Sequence, residues 1–92
     1  MRDYAIFETD HFARDLKQIA RAGHPDVLRK LQTVVYPRLK QHPHFGPHIR
    51  KLKHYEPETW RYRIGAWRFF YEIDDRERLV LMTTASHRGS AY

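Results

Sequence analysis

Cysteine is absent from the 92 residues, so disulfide staples and thiolate metal sites are excluded and a reducing compartment is suitable. No apolar run approaches the ~20 residues needed to cross a bilayer, and the N-terminal Met1-Arg2-Asp3-Tyr4 stretch has no signal-peptide core. These absences lead us to expect a soluble, cytoplasmic chain. Glycine is sparse, at 4 residues, and three of the 5 prolines fall within residues 42–59. There is no flexible linker, internal repeat or low-complexity tract, and residues 1–92 read as one domain.

What is present is aromatic and basic. Phe, Trp and Tyr make up 14% of the chain and hydrophobic residues 41%, enough for a packed core. The net charge of +6 is uneven. Residues 1–36 carry six Lys/Arg against five Asp/Glu, residues 37–72 eight against three, and residues 73–92 three against three. A basic zone interleaved with aromatics points to a polyanion, either a nucleic acid or an acidic protein.

The centre of that zone is Trp60 to Glu72. Trp60, Tyr62 and Ile64 alternate with Arg61 and Arg63, and a second β-rich run starts at Trp67. This is a hairpin pattern. With Gly65-Ala66 as a two-residue type II′ loop, Ile64 faces Trp67, Arg63 faces Arg68, Tyr62 faces Phe69, Arg61 faces Phe70 and Trp60 faces Tyr71. One face is then apolar, while Arg61, Arg63 and Arg68 share the other. Like charges directly across a strand pair are unfavourable unless an anion or screening salt relieves them. A phosphate site and a solvated charged face both fit this pattern.

The flanking segments follow in order. Residues 2–8 read as a strand. Thr9 or Asp10 caps a helix with Phe12, Leu16, Ile19 and Ala20 at helical spacing, closed by Gly23. A second helix starts at Pro25 with Val27, Leu28, Leu31, Val34 and Val35 as its stripe. At Pro37 it either stops near Tyr36 or continues kinked to Gln41. Residues 42–59 read as an ordered loop anchored by Phe45, Ile49 and Leu52. Its Arg50, Lys51 and Lys53 are candidate RNA contacts, and its histidines have no established metal-ligand spacing. Leu79 to Ala85 reads as a central strand. The order β-α-α-β-β-β gives an α+β domain, a mainly antiparallel twisted sheet of about four strands with an antiparallel helix pair on one face.

Three patterns resemble the RelE/ParE superfamily of bacterial toxins: Ile49-Arg50-Lys51-Leu52 before the hairpin, Tyr62 to Asp74, and the closing His87-Arg88 with Tyr92. The resemblance to RelE-type members implies a metal-independent endoribonuclease that cuts mRNA in the ribosomal A site, needs no cofactor and is silenced by a cognate antitoxin. It places Arg61, Arg63, Arg68, Arg88 and Tyr92 at the catalytic positions. ParE-type members share the fold and target DNA gyrase. A non-catalytic basic binding module is a third reading. For RNA cleavage the 2′-hydroxyl attacks the adjacent phosphorus, and guanidinium forks suit the charge that develops. Arginine is a poor base. Tyr92 either accepts the proton or orients the hydroxyl and stacks on a base, and His87, a further candidate RNA contact, has the natural acid/base pKa.

Overall fold

The computed structural model describes residues 3–87, a chain of helices on one side of a five-stranded sheet. Strand β1 is Ala5–Glu8 and helix α1 is Asp10–Arg21. Helix α2, Pro25–Lys30, runs through a π-helical turn, Leu31–Val35, into α3, Tyr36–Gln41. The strands β2 (Ile49–Lys51), β3 (Trp60–Ile64), β4 (Trp67–Asp74) and β5 (Leu79–His87) follow. The sheet order is β1-β5-β4-β3-β2, with β1 parallel to β5 and the other pairs antiparallel.

Helix α1 starts where Thr9 Oγ1 accepts from the Phe12 N–H at 3.2 Å while donating to the Met82 carbonyl at 2.9 Å. One side chain therefore caps the helix and ties it to β5. Phe12 and Ile19 are buried on its inner face, and the expected fourth position, Ala20, is exposed.

The second helix resolves the choice at Pro37 in favour of continuation. Val27, Leu31, Val35 and Leu39 are all buried, a four-residue spacing that drifts around an α-helix of 3.6 residues per turn. The wider π turn, closed by the Tyr36 N–H on the Leu31 carbonyl, restores the phase and accommodates a proline that has no N–H to donate. The shift leaves Val34, expected in the stripe, 45% exposed. The Tyr36 hydroxyl donates to a Glu8 carboxylate oxygen, joining helix to β1. Burial, then that hydrogen bond, pushes its pKa well above the ordinary tyrosine value.

The sheet has one more strand than expected. Ile49–Lys51 lies inside the segment read as a loop, yet it pairs Ile49 with Tyr62, Arg50 with Arg61 and Lys51 with Trp60. Three residues are too few to show a period, so the strand exists only through its partner. Of the expected anchors Ile49 packs against the core, but Phe45 does not. Phe45 is 68% exposed and stacks on His42, whereas Pro43 is fully buried and its carbonyl accepts from the Tyr71 hydroxyl at 2.8 Å. His44 reaches Asp75 at 2.9 Å, and Asp75 also accepts from the Tyr4 hydroxyl at 2.6 Å. These bonds carry the chain from the end of α3 to β2 and so place Arg50.

Hydrogen bonds from Tyr4 and then His44 hold the Asp75 carboxyl below its usual pKa. A depressed folded-state pKa adds stability that is present above the unfolded value of about 3.9 and is lost as pH falls through the folded one. Asp75→Asn should therefore flatten the acid limb of a melting-temperature profile below about pH 4. An unchanged limb would remove Asp75 from the fastening.

Candidate anion and RNA interface

The hairpin has the register expected from its alternation: Ile64 pairs with Trp67, Arg63 with Arg68, Tyr62 with Phe69, Arg61 with Phe70 and Trp60 with Tyr71. Gly65 has φ +55° and Ala66 is not left-handed, the φ pattern of a type II′ turn. Tyr62, Phe69 and Tyr71 are buried towards the helices. Burial, above all, raises the Tyr71 pKa. Among the described residues no helix covers the opposite face, and the arginines lie there.

Strand pairing brings four of them side by side. Arg50 on β2 is the cross-strand partner of Arg61 on β3, and Arg63 two residues further on is the partner of Arg68 on β4. Among the described residues no ion pair engages any of the four. Arg61 Nε is buried without a hydrogen-bond partner. Burial, then repulsion from Arg50, Arg63 and Arg68, draws the Arg61 pKa below the ordinary arginine value. Two like-charge pairs and one unsatisfied donor form a face whose electrostatics favour an anion.

This costs stability in the unliganded protein. Arg61→Gln should raise thermal stability by about 0.2–1 kcal/mol, the size of a cross-strand pair effect. Added phosphate should raise the melting temperature of the parent more than that of the variant. A variant that melts lower at every salt concentration would show that Arg61 is held by packing rather than strained by its neighbours.

Two hollows open on this face. One, of about 430 Å³, is lined by Pro47, His48, Ile49, Arg50, Arg61 and Arg63. The other, of about 520 Å³, is lined by Tyr55, Thr59, Arg68, Phe70, Thr83, Thr84 and Ser86. His48 enters beside Arg63 because the Arg63 N–H donates to the His48 carbonyl at 3.0 Å, extending the β2–β3 ladder by one residue. Sequence reading missed His48 as a neighbour of the arginines, since the strand that places it was itself unread. It also missed Thr84 and Ser86, the cross-strand partners of Phe70 and Arg68.

The remaining expected residues divide. Lys51 is adjacent to Arg50 on a strand and so points to the other face, where it pairs with Glu58 at 3.1 Å and lies over the Trp60 ring. Lys53 is exposed in the turn beyond β2. His87 is opposite Trp67, with ring centroids 4.8 Å apart, on the helix side near Asp15 and Gln18. Thus neither Lys51 nor His87 is brought to the arginines. Arg88 and Tyr92 lie outside the described residues. Among the described residues no group of three or more His, Cys, Asp or Glu is arranged to hold a metal ion. No helix there is long and apolar enough to cross a membrane.

Comparison with known proteins adds a family. The family model described as the ParE toxin of the type II toxin-antitoxin system parDE matches residues 6–91. No curated protein sequence matches the chain. Among solved structures, the chain is similar to one from the toxin-antitoxin complex RelBE2 of Mycobacterium tuberculosis. That likeness has 24% identity and a TM-score of 0.79, and covers 98% of this chain and 97% of the other. A chain from the archaeal RelE-RelB complex of Pyrococcus horikoshii gives 18% identity and a TM-score of 0.67, covering 97% and 99%. An E. coli RelE toxin mutant in the free state gives 16% and 0.64, covering 92% and 83%. At these identities the likeness shows the fold.

Proposed function

We propose that this chain, which belongs to the ParE toxin family of type II toxin-antitoxin systems, arrests growth by cutting messenger RNA on the ribosome. As a member of that family it is the toxin of such a pair. The observation that carries the nuclease reading is the convergence of Arg50, Arg61, Arg63 and Arg68 on one open sheet face with no acidic partner among the described residues. A phosphodiester supplies the missing anion. As the 2′-hydroxyl bonds to phosphorus, the non-bridging oxygens gain charge, and preorganised guanidinium forks stabilise that charge more than they do the ground state. The P–O5′ bond then breaks, leaving a 2′,3′-cyclic phosphate and a 5′-hydroxyl. One proton must leave the 2′-oxygen and one must reach the 5′-oxygen. His48 at the rim is suited to this exchange, together with the expected Tyr92, while the expected Arg88 adds a further guanidinium to the phosphate.

The partner that silences the toxin is a cognate antitoxin, a reading supported by the toxin-antitoxin complex from which the similar Mycobacterium tuberculosis chain comes. A second reading, inhibition of DNA gyrase, is favoured by the ParE description of the matching family. Induction without the neighbouring gene product separates the two. The nuclease reading requires arrested cells whose transcripts carry new 5′-hydroxyl ends within coding sequence. Intact transcripts with a DNA-damage response would favour gyrase.

A further inference from the structure

The larger hollow lies one strand from the arginine cluster and has a different lining. Arg68 is shared between them in effect, since it lines the hollow and is the cross-strand partner of Arg63. The remaining wall is two aromatic rings, Phe70 and the 54% exposed Tyr55, with four hydroxyls from Thr59, Thr83, Thr84 and Ser86. At a β-bulge between Phe70 and Tyr71 the register skips Thr83, next to Thr84, the cross-strand partner of Phe70, and such bulges re-aim side chains beside functional sites. Thr83 donates to the Phe70 carbonyl at 3.2 Å and Thr59 to the Pro57 carbonyl at 3.0 Å. Thr84 and Ser86 add two more hydroxyls to the wall, groups that can both donate and accept. At about 520 Å³ the hollow is within the range of small-ligand sites.

We infer that this hollow is a nucleobase pocket, which takes one base of the RNA strand whose phosphate rests on Arg68 and its neighbours. The inference rests on the nuclease reading and adds what that reading leaves open, the place where base identity is read. Aromatic faces stack on any base, and hydroxyls that both donate and accept meet its polar edge. Arg68 joins the two parts of the nucleotide, with its guanidinium at the phosphate and its stem along the pocket wall.

The test uses the full chain and a fluorescent, uncleavable RNA trimer with a 2′-deoxy sugar at its centre. A matched trimer has an abasic central residue, and each trimer carries the same phosphate charge. The intact trimer should bind about tenfold or more tightly than the abasic one. Phe70→Ala and, independently, Tyr55→Ala should shrink that ratio while leaving the abasic affinity and its salt dependence unchanged. Tyr55 is on an exposed loop, so its replacement keeps the test valid if Phe70→Ala fails to fold. Equal affinities, a ratio that survives both substitutions, or no binding by either trimer would overturn the pocket. So would a nucleoside monophosphate competing as well as the trimer, which would make the ligand a free nucleotide. A protein that cuts RNA without this base dependence loses the pocket alone. One that shows the dependence but cuts nothing loses the nuclease reading alone.

Discussion

Replacing Arg68 with alanine should lower the cleavage rate by about 10²–10³-fold, the usual cost of removing one preorganised donor from a developing oxyanion, and cells carrying the variant should tolerate its induction. Arg68 is the pivot because it faces Arg63 across one strand boundary and Ser86 across the other. It lines one hollow, and its cross-strand partner Arg63 lines the other. The fold should not suffer. Its side chain lies on the face without helices, and removing it takes away one of two like-charge pairs, so the melting temperature should hold or rise. Arg68→Lys keeps the charge and loses the planar fork, and should recover only part of the rate. Rates on programmed ribosomes, read beside circular-dichroism melts, separate lost chemistry from lost structure. Parental cleavage by the alanine variant would remove Arg68 from the site.

The adjacent residue should behave in the opposite way. Phe69 is fully buried on the helix side, edge-on to Phe12 with ring centroids 6.3 Å apart, and paired with Tyr62 and Ala85. Phe69→Ala should cost about 3–5 kcal/mol through lost burial and the cavity left behind. A small domain has a total stability of about 5–15 kcal/mol, so this variant should melt far below the parent, and any loss of toxicity should follow the unfolded fraction. Urea unfolding measures the cost directly. A cost under about 1 kcal/mol would mean that the face assignment along β4 is wrong.

The contrast between Arg68 and Phe69 was legible in the chain because strict two-residue alternation survives from Trp60 to Ile64, and because Gly65 supplies the positive φ that a two-residue loop requires. Thus the hairpin register and its two faces follow from local rules. Elements without a period of their own were not legible. Strand β2 is three residues in a proline-rich stretch, held by backbone pairing to β3, and no local signal announces such pairing. Missing it had a definite consequence. Arg50 and Lys51 looked equivalent as loop cations, whereas on a strand they must point to opposite faces, and only Arg50 joins the cluster. The same alternation separates Ser86, which faces Arg68, from His87, which faces Trp67.

Pro37 left two readings open, a stop near Tyr36 or a kinked continuation to Gln41. Read locally it breaks a helix, but the buried positions at Val27, Leu31, Val35 and Leu39 reward continuation, and a π turn reconciles the two demands. The family resemblance supplied Arg88 and Tyr92, which lie outside the described residues. Their part in the chemistry stays a proposal alongside His48.

A single phosphodiester held by guanidinium groups from neighbouring strands and cut there is the central proposal. Its most direct test is purified toxin added to ribosomes programmed with an end-labelled message, with the chemistry of the new ends determined. The prediction is discrete cuts leaving a 2′,3′-cyclic phosphate and a 5′-hydroxyl, absent with Arg68→Ala. An intact message, from a toxin preparation that blocks DNA supercoiling by gyrase, would contradict it.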